Sequence, residues 1–467
     1  MQSGFTWPRV SRSRDVRLWT AVGGRFLFCI CGKLAQIREM LTTLGLRTRH
    51  RNRMDKPATR APVRIKFSRY EKVVIGILGF LQFTVILDFM IISPLGAIVM
   101  PSLRISPQQF GLAVSSYAFS AGVSGFLAAG FADRFDRKRL LLFFYFGFML
   151  GTLLCALATT YPLLLLARIV TGLFGGVIGS VVLAITTDLF PLEMRGRVMG
   201  VISTAFAASQ VLGLPAGLYL TGHWDWHAPF LAIIAVGLPA GVIIMLFMRP
   251  VVGHLALKQE RNPLTHLINT ITEPRYRLAF LLVMLLPTGG YMLMPFGTAY
   301  IVNNVGLTFT VLPVIYLVTG VSTIFVGPLV GKASDSFGKF PMFCFGSIVT
   351  LIMVPIWTHI GHVPLATVIV INVILFAGIF SRMIPSQALI SAIPEPAKRG
   401  AFNAVSASLQ QFAGGVSAAV AGWLIVQRPN GSLAHFDWLG YVVMAIALVT
   451  FVLMYRVHKQ VREAPPR

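Results

Sequence analysis

From Glu71 onward the chain alternates apolar runs of about twenty residues with short polar intervals. Such a run is long enough to cross a hydrocarbon core of about 30 Å as a helix, since each residue advances the axis by about 1.5 Å. Twelve runs qualify, at approximately 73–100, 109–132, 140–159, 162–189, 197–220, 229–248, 279–301, 309–331, 341–359, 364–391, 401–426 and 438–455. Glycine and proline inside them do not count against helix in lipid. An outer-membrane barrel needs alternating strands of about ten residues, and that pattern is missing. The pattern predicts an all-α membrane protein of twelve transmembrane helices.

The polar intervals repeat. AGFADRFDRKR at 129–139 is echoed by GKASDSFGKF at 331–340, which places Asp335 202 residues after Asp133. RGRVMG from Arg195 is echoed by RGAFNA from Arg399, 204 residues later. Two landmarks sharing one offset indicate a duplicated unit. The expected organisation is a basic segment 1–70, a six-helix bundle 71–250, a linker 251–277 and a second, pseudo-symmetric six-helix bundle 278–460.

Composition agrees with a life in lipid. Hydrophobic residues make up 55% and charged residues 12% of 467 positions, with mean hydropathy +0.75, whereas soluble domains carry about 25% charge. The net charge of +24 is unevenly placed: residues 1–70 hold 16 Lys/Arg against 3 Asp/Glu. The loops on that same side, with the C-terminal tail, add 19 Lys/Arg, and the opposite loops hold only Arg104 and Arg428. This is the positive-inside asymmetry. It predicts a multi-pass protein of the cell inner (plasma) membrane with both termini cytoplasmic. No aromatic-basic interleaving on a soluble face supports nucleic-acid binding.

Residues 1–70 differ from the rest. Leu34, Ile37, Leu41 and Leu44 have the spacing of an interfacial amphipathic helix. The Arg/Ser bias equally suits a transit peptide, and translation from Met54 is a third reading. Cys29, Cys31, Cys155 and Cys344 have no zinc-type spacing.

The loop at 129–139 resembles the signature G-x-x-x-D-[RK]-x-G-[RK]-[RK] between helices 2 and 3 of the major facilitator superfamily. Its acid falls on Asp133, and its cations on Arg134, Arg137 and Lys138; Ala129 and Asp136 depart at the two glycines. The resemblance covers about residues 70–460 and is greatest to twelve-helix drug:proton antiporters and sugar-efflux proteins. It implies that Asp133, Arg134, Arg137, Lys138 and Asp335 form gating loops. Physically, Asp133 suits capping of a neighbouring helix N-terminus, and the cations suit headgroups and helix C-termini; a topology determinant without gating is the simpler alternative. The pattern R-x-x-[polar]-G is matched by Arg168, Thr171 and Gly172, and in relatives that arginine is associated with proton coupling. GLPAG at 213–217 resembles a loose exporter motif, although close helix packing suffices to explain it.

A charge inside hydrocarbon is costly and needs a partner. Asp88 is the only acid well inside the spans. It lies about 22 Å up the first helix from Val73, and Arg168 lies about 9 Å down the fourth from Pro162. In a core of about 30 Å those depths match, so a pair is expected. Arg382 in the tenth span has no intramembrane acid in its own half. It either lines a net-positive cavity or snorkels to the interface. Gln82, Gln210, Tyr291, Asn372 and Gln410 are cavity candidates or interhelical hydrogen bonders. In HWDWHAPF at 223–230, His223, Asp225 and His227 are possible ligands, but Trp224 and Trp226 fit an interfacial belt better, so no metal is expected.

These features predict a monomeric secondary transporter rather than an enzyme. Its partners are a small-molecule substrate, protons and the lipid bilayer, and no cofactor is required. It has no GxxxxGK[ST] for direct ATP drive and no HExxH or GxSxG for hydrolysis. Proton-coupled efflux leads; uptake by symport, or a non-transporting receptor of the same fold, are the alternatives.

Overall fold

Backbone N–H and C=O groups in lipid must be satisfied within the chain, which leaves helices as the economical answer for runs of this composition. The computed structural model describes residues 67–256, 263–395 and 398–463. The expectations for 1–53 therefore lie outside the described residues. The membrane helices are α1 Arg69–Ile91, α2 Pro107–Phe131, α3 Arg137–Ala156, α4 Tyr161–Leu189, α5 Met194–His223 and α6 Ala228–Phe247. They continue with α7 Pro274–Val305, α8 Phe309–Phe337, α9 Lys339–Thr358, α10 Leu365–Ile390, α11 Arg399–Leu424 and α12 Phe436–Glu463.

Eleven of the twelve are long and apolar enough to cross a membrane by themselves. The exception is α11, whose 26 residues include Asn403, Ser406, Ser408, Gln410, Gln411 and Ser417. Among the other eleven, α2 has the lowest hydropathy, 1.3. These two helices pack on each other along their length, so the least apolar surfaces are hidden in the seam between the two sets of six.

Helix starts follow local chemistry. Ser68 and Glu71 form a capping box at α1, with the Glu71 N–H donating to Ser68 Oγ at 3.2 Å and the Ser68 N–H to Glu71 Oε2 at 2.7 Å. Ser106 and Gln109 do the same at α2, with Pro107 at the first helical position. A short hairpin pairs β1 Val426–Gln427 antiparallel with β2 Leu433–Ala434. It is the one departure from an all-helical chain among the described residues. Asn304 clamps it, donating to the Leu433 carbonyl and accepting from the Leu433 N–H, both at 2.9 Å.

On the face away from the basic loops the two halves close on each other. Phe110 of α2 meets Phe296 of α7 edge-on at 5.9 Å. A Cβ on Gly111 would lie 2.8 Å from the Ala418 carbonyl, and one on Gly422 would lie 2.7 Å from the Pro107 carbonyl. One continuous hydrophobic core joins both halves there. Toward the basic face the second half has a core of its own, with Leu267 of the linker helix Pro263–Thr272 and Phe280 and Phe402 inside it. The backbone of α5 touches α8 where Gln210 meets Gly320. Beyond that point, Gly196 and Gly200 of α5 and Gly327 and Gly331 of α8 face no atom within 4 Å.

Candidate functional site

Four helices of the first half converge on Asp88. Arg168 Nη1 on α4 donates to Asp88 Oδ2 at 3.0 Å and to the Asp88 carbonyl at 3.4 Å. Thr152 Oγ1 on α3 lies 3.1 Å from Asp88 Oδ1 and 3.0 Å from the Phe148 carbonyl. A hydroxyl has one proton, so Thr152 donates to the carboxylate or to its own helix. Tyr117 on α2 lays its ring 4.5 Å from Arg168 Cζ. Both charged side chains are 0% exposed.

Tight backbone packing makes this convergence possible. A Cβ on Gly172 would collide with the Tyr117 carbonyl and Ser120, and Gly151 lets α3 abut Thr171. The GLPAG segment serves α1: Gly213 packs on Leu87 and Gly217 on Ile91, on either side of Asp88 in the chain. A π-helical turn, Ser209–Gly213, precedes Pro215, and Ser209 Oγ donates to the Phe83 carbonyl at 3.1 Å. The pair is nevertheless incompletely satisfied, because Arg168 Nε and Nη2 are enclosed without a hydrogen-bond acceptor among the described residues.

The structure thus unites Asp88 and Arg168. Phe89 carries the contact onward, packing on Tyr117 at 5.2 Å and on Tyr291 of α7 at 6.1 Å. Tyr291 donates to Gln411 Oε1 at 3.3 Å, with Gln410 half-buried next to it in sequence. Gln82 reaches toward Gly179 of α4, and its Oε1 is enclosed without a donor. Gln210 lies in the π-helical turn against α8.

Two cavity candidates bond within the second half. Asn372 Nδ2 donates to the Val368 carbonyl of its own helix at 2.9 Å. Arg382 Nη2 donates to Thr450 Oγ1 of α12 at 2.6 Å, and its Cζ lies 5.6 Å from the Phe343 ring of α9. Its guanidinium is turned into the second half, between α9 and α12. Rotation about a helix axis decides this, and a span assignment does not fix it.

In the basic loop, the side chain of Asp133 lies outside the described residues. The capping is done by Asp136, which accepts from the Lys138 N–H at 3.0 Å and the Val251 N–H at 2.9 Å. Arg137 pairs with Asp188 at the end of α4 at 3.1 Å, and Lys138 Nζ donates to the Met245 carbonyl of α6 at 2.9 Å. Arg134 closes a short 3-10 turn, Ala132–Arg134. In the second copy Asp335 pairs with Lys339, and Gly338 has φ 96°, a conformation that suits glycine. At the opposite face Trp226 is buried, whereas Trp224 is exposed, as are Trp423 at the end of α11 and Trp438 at the start of α12. His227 is engaged through both ring nitrogens, by Asp225 and by the Ala158 carbonyl.

Sequence reasoning missed Thr152, Tyr117, Asp136 and Gln411. The Asp-Arg-Lys start of α3 carried a recognisable N-cap signal; Thr152 and Tyr117 have none that separates them from other polar residues in apolar helices.

The family model described as Major Facilitator Superfamily matches residues 78–418. The chain is 27% identical over 271 residues to the uncharacterized MFS-type transporter YceJ of Bacillus subtilis, covering 57% of this chain and 68% of that protein. It is 30% identical over 140 residues to multidrug resistance protein 3 of the same organism, covering 30% of this chain and 27% of the relative. Among solved structures, a bacterial homolog of the human lysosomal transporter Spinster, inward-facing and occupied, superposes with TM-score 0.70 at 15% identity. That match covers 86% of this chain and 100% of the other.

Proposed function

The chain belongs to the major facilitator superfamily and is a secondary transporter rather than an enzyme, and we propose that it exports a small molecule in exchange for protons. The observation that carries this reading is the fully buried Asp88–Arg168 pair. Burial disfavours a charged carboxyl group, and a neighbouring guanidinium favours it; a small change in hydration or separation therefore moves a proton on or off. Protonation of Asp88 frees Arg168 and lets Thr152 return its proton to Phe148. Contacts among α1, α3 and α4 then change together, which biases the side to which the cavity opens.

The seam supplies the substrate's surroundings. Gln82, Gln210, Tyr291 and Gln410 contribute amide and phenol groups, and Phe89 contributes an aromatic face. The basic loops tie α3, α4 and α6 into one body that moves as a unit. Similarity over part of the chain to a multidrug resistance protein favours export, while close helix approach accounts for the GLPAG packing beside Asp88. Substrate-induced proton movement in inverted vesicles tests the coupling; substrate flux with no proton movement overturns it.

We place the basic face in the cytoplasm of a plasma membrane, on the Lys/Arg asymmetry. In a protein freed of its native cysteines, Ser102→Cys and Asn269→Cys, both at exposed positions, should react with an impermeant thiol reagent from opposite sides. Labelling from one side only overturns this orientation.

A further inference from the structure

Among the described residues the buried charged side chains are Asp88, Arg137, Arg168 and Arg382. The first three are neutralised, Asp88 with Arg168 and Arg137 with Asp188. Arg382, 7% exposed, is the exception. Its hydrogen bond to Thr450 Oγ1 brings no negative charge, and the Thr450 hydroxyl donates its own proton to the Ala447 carbonyl at 2.9 Å. Arg382 Nε is enclosed with no acceptor. Phe343 covers the guanidinium on one side.

The acids of the second half are placed elsewhere. Asp335 pairs with Lys339, Glu395 with Arg275 and Lys398, and Glu463 with Lys459. Asp437 stands at the start of α12, 13 residues from Thr450, or about 20 Å along the helix. Glu273 precedes α7 at the basic face. An enclosed guanidinium at membrane depth is tolerated when something anionic or strongly polar meets it. The Arg382 Nε–H is unused, and among the described residues no carboxylate meets it.

We propose that Arg382 seats a small monovalent anion, a halide or a short carboxylate, inside the second half of the transporter. The guanidinium provides the charge and the N–H donors. The anion neutralises the second half in the way that Asp88 neutralises the first.

The test is the thermal unfolding of the detergent-purified full-length protein in sodium chloride, acetate and gluconate at matched ionic strength. A ligand bound only by the folded state raises the midpoint saturably. Chloride or acetate is expected to raise it by about 2–4 °C over gluconate, the bulky reference anion. Arg382→Gln should lose that increment and, in gluconate, melt no lower than the wild type, because it has shed an unneutralised charge. A merely structural arginine predicts the reverse, a lower midpoint in every salt. If Arg382→Gln cannot be purified, Arg382→Lys carries the test: it keeps the charge and loses the planar fork, so the response should weaken roughly tenfold in half-saturation or vanish. A wild-type midpoint indifferent to the anion, a wild-type-like response in Arg382→Gln, or an unchanged half-saturation in Arg382→Lys overturns the proposal.

Discussion

Asp88→Asn is expected to abolish proton-driven accumulation of substrate while leaving a folded, inserted protein. Asparagine copies the size and neutrality of the protonated acid. If the transport cycle passes through protonated Asp88, the protein already tolerates an uncompensated Arg168 in that state. The variant should therefore bind substrate and equilibrate it across vesicles without concentrating it. Arg168→Ala should be worse. It leaves a carboxylate buried without its cation, which costs about 3–5 kcal/mol, and it removes the side chain that joins α1 to α4 and rests on Tyr117. Reduced yield and a lowered melting point should accompany its loss of transport. Well-expressed Asp88→Asn protein with full coupled transport would leave another ion, or no ion, as the driver.

The second large effect is expected at the opposite-face closure. Gly422→Val places branched carbons where a Cβ would already lie 2.7 Å from the Pro107 carbonyl. Forcing extra carbons into tight packing costs about 1–3 kcal/mol. That penalty falls only on the arrangement in which α2 and α11 touch, so it displaces the two-state equilibrium by roughly a factor of ten per 1.4 kcal/mol. Transport should fall, and a cysteine at Ser203, exposed on the basic half of α5, should react more slowly with an impermeant reagent from the basic side. Undiminished transport with unchanged reactivity would mean that the closure is not rate-relevant.

Much of this was legible in the chain, and the limits have physical causes. Apolar run length fixed the helices because lipid leaves few alternatives, and counting residues from helix ends placed Asp88 and Arg168 at one depth. Depth is set by sequence position, whereas the direction a side chain points depends on how its helix is rotated against its neighbours. The contacts of Arg382 with Thr450 and Phe343 are of that kind. Trp226 was assigned to the interface by residue type, but the turn before α6 carries it inward. Asp136 looked like a departure from a glycine position; the structure makes it the cap that ties α3 to the segment after α6.

The polarity of α11 also bears on how the protein is made. The polar residues of α11 find their partner surface on α2, synthesised almost three hundred residues earlier. During translation the flank of α2 that carries Gly111, Ser115 and Gly122 waits without its mate. The first half is therefore a scaffold for the penultimate segment of the second. A ribosome halted before Arg399 would leave a half-built transporter whose most polar edge still faces lipid.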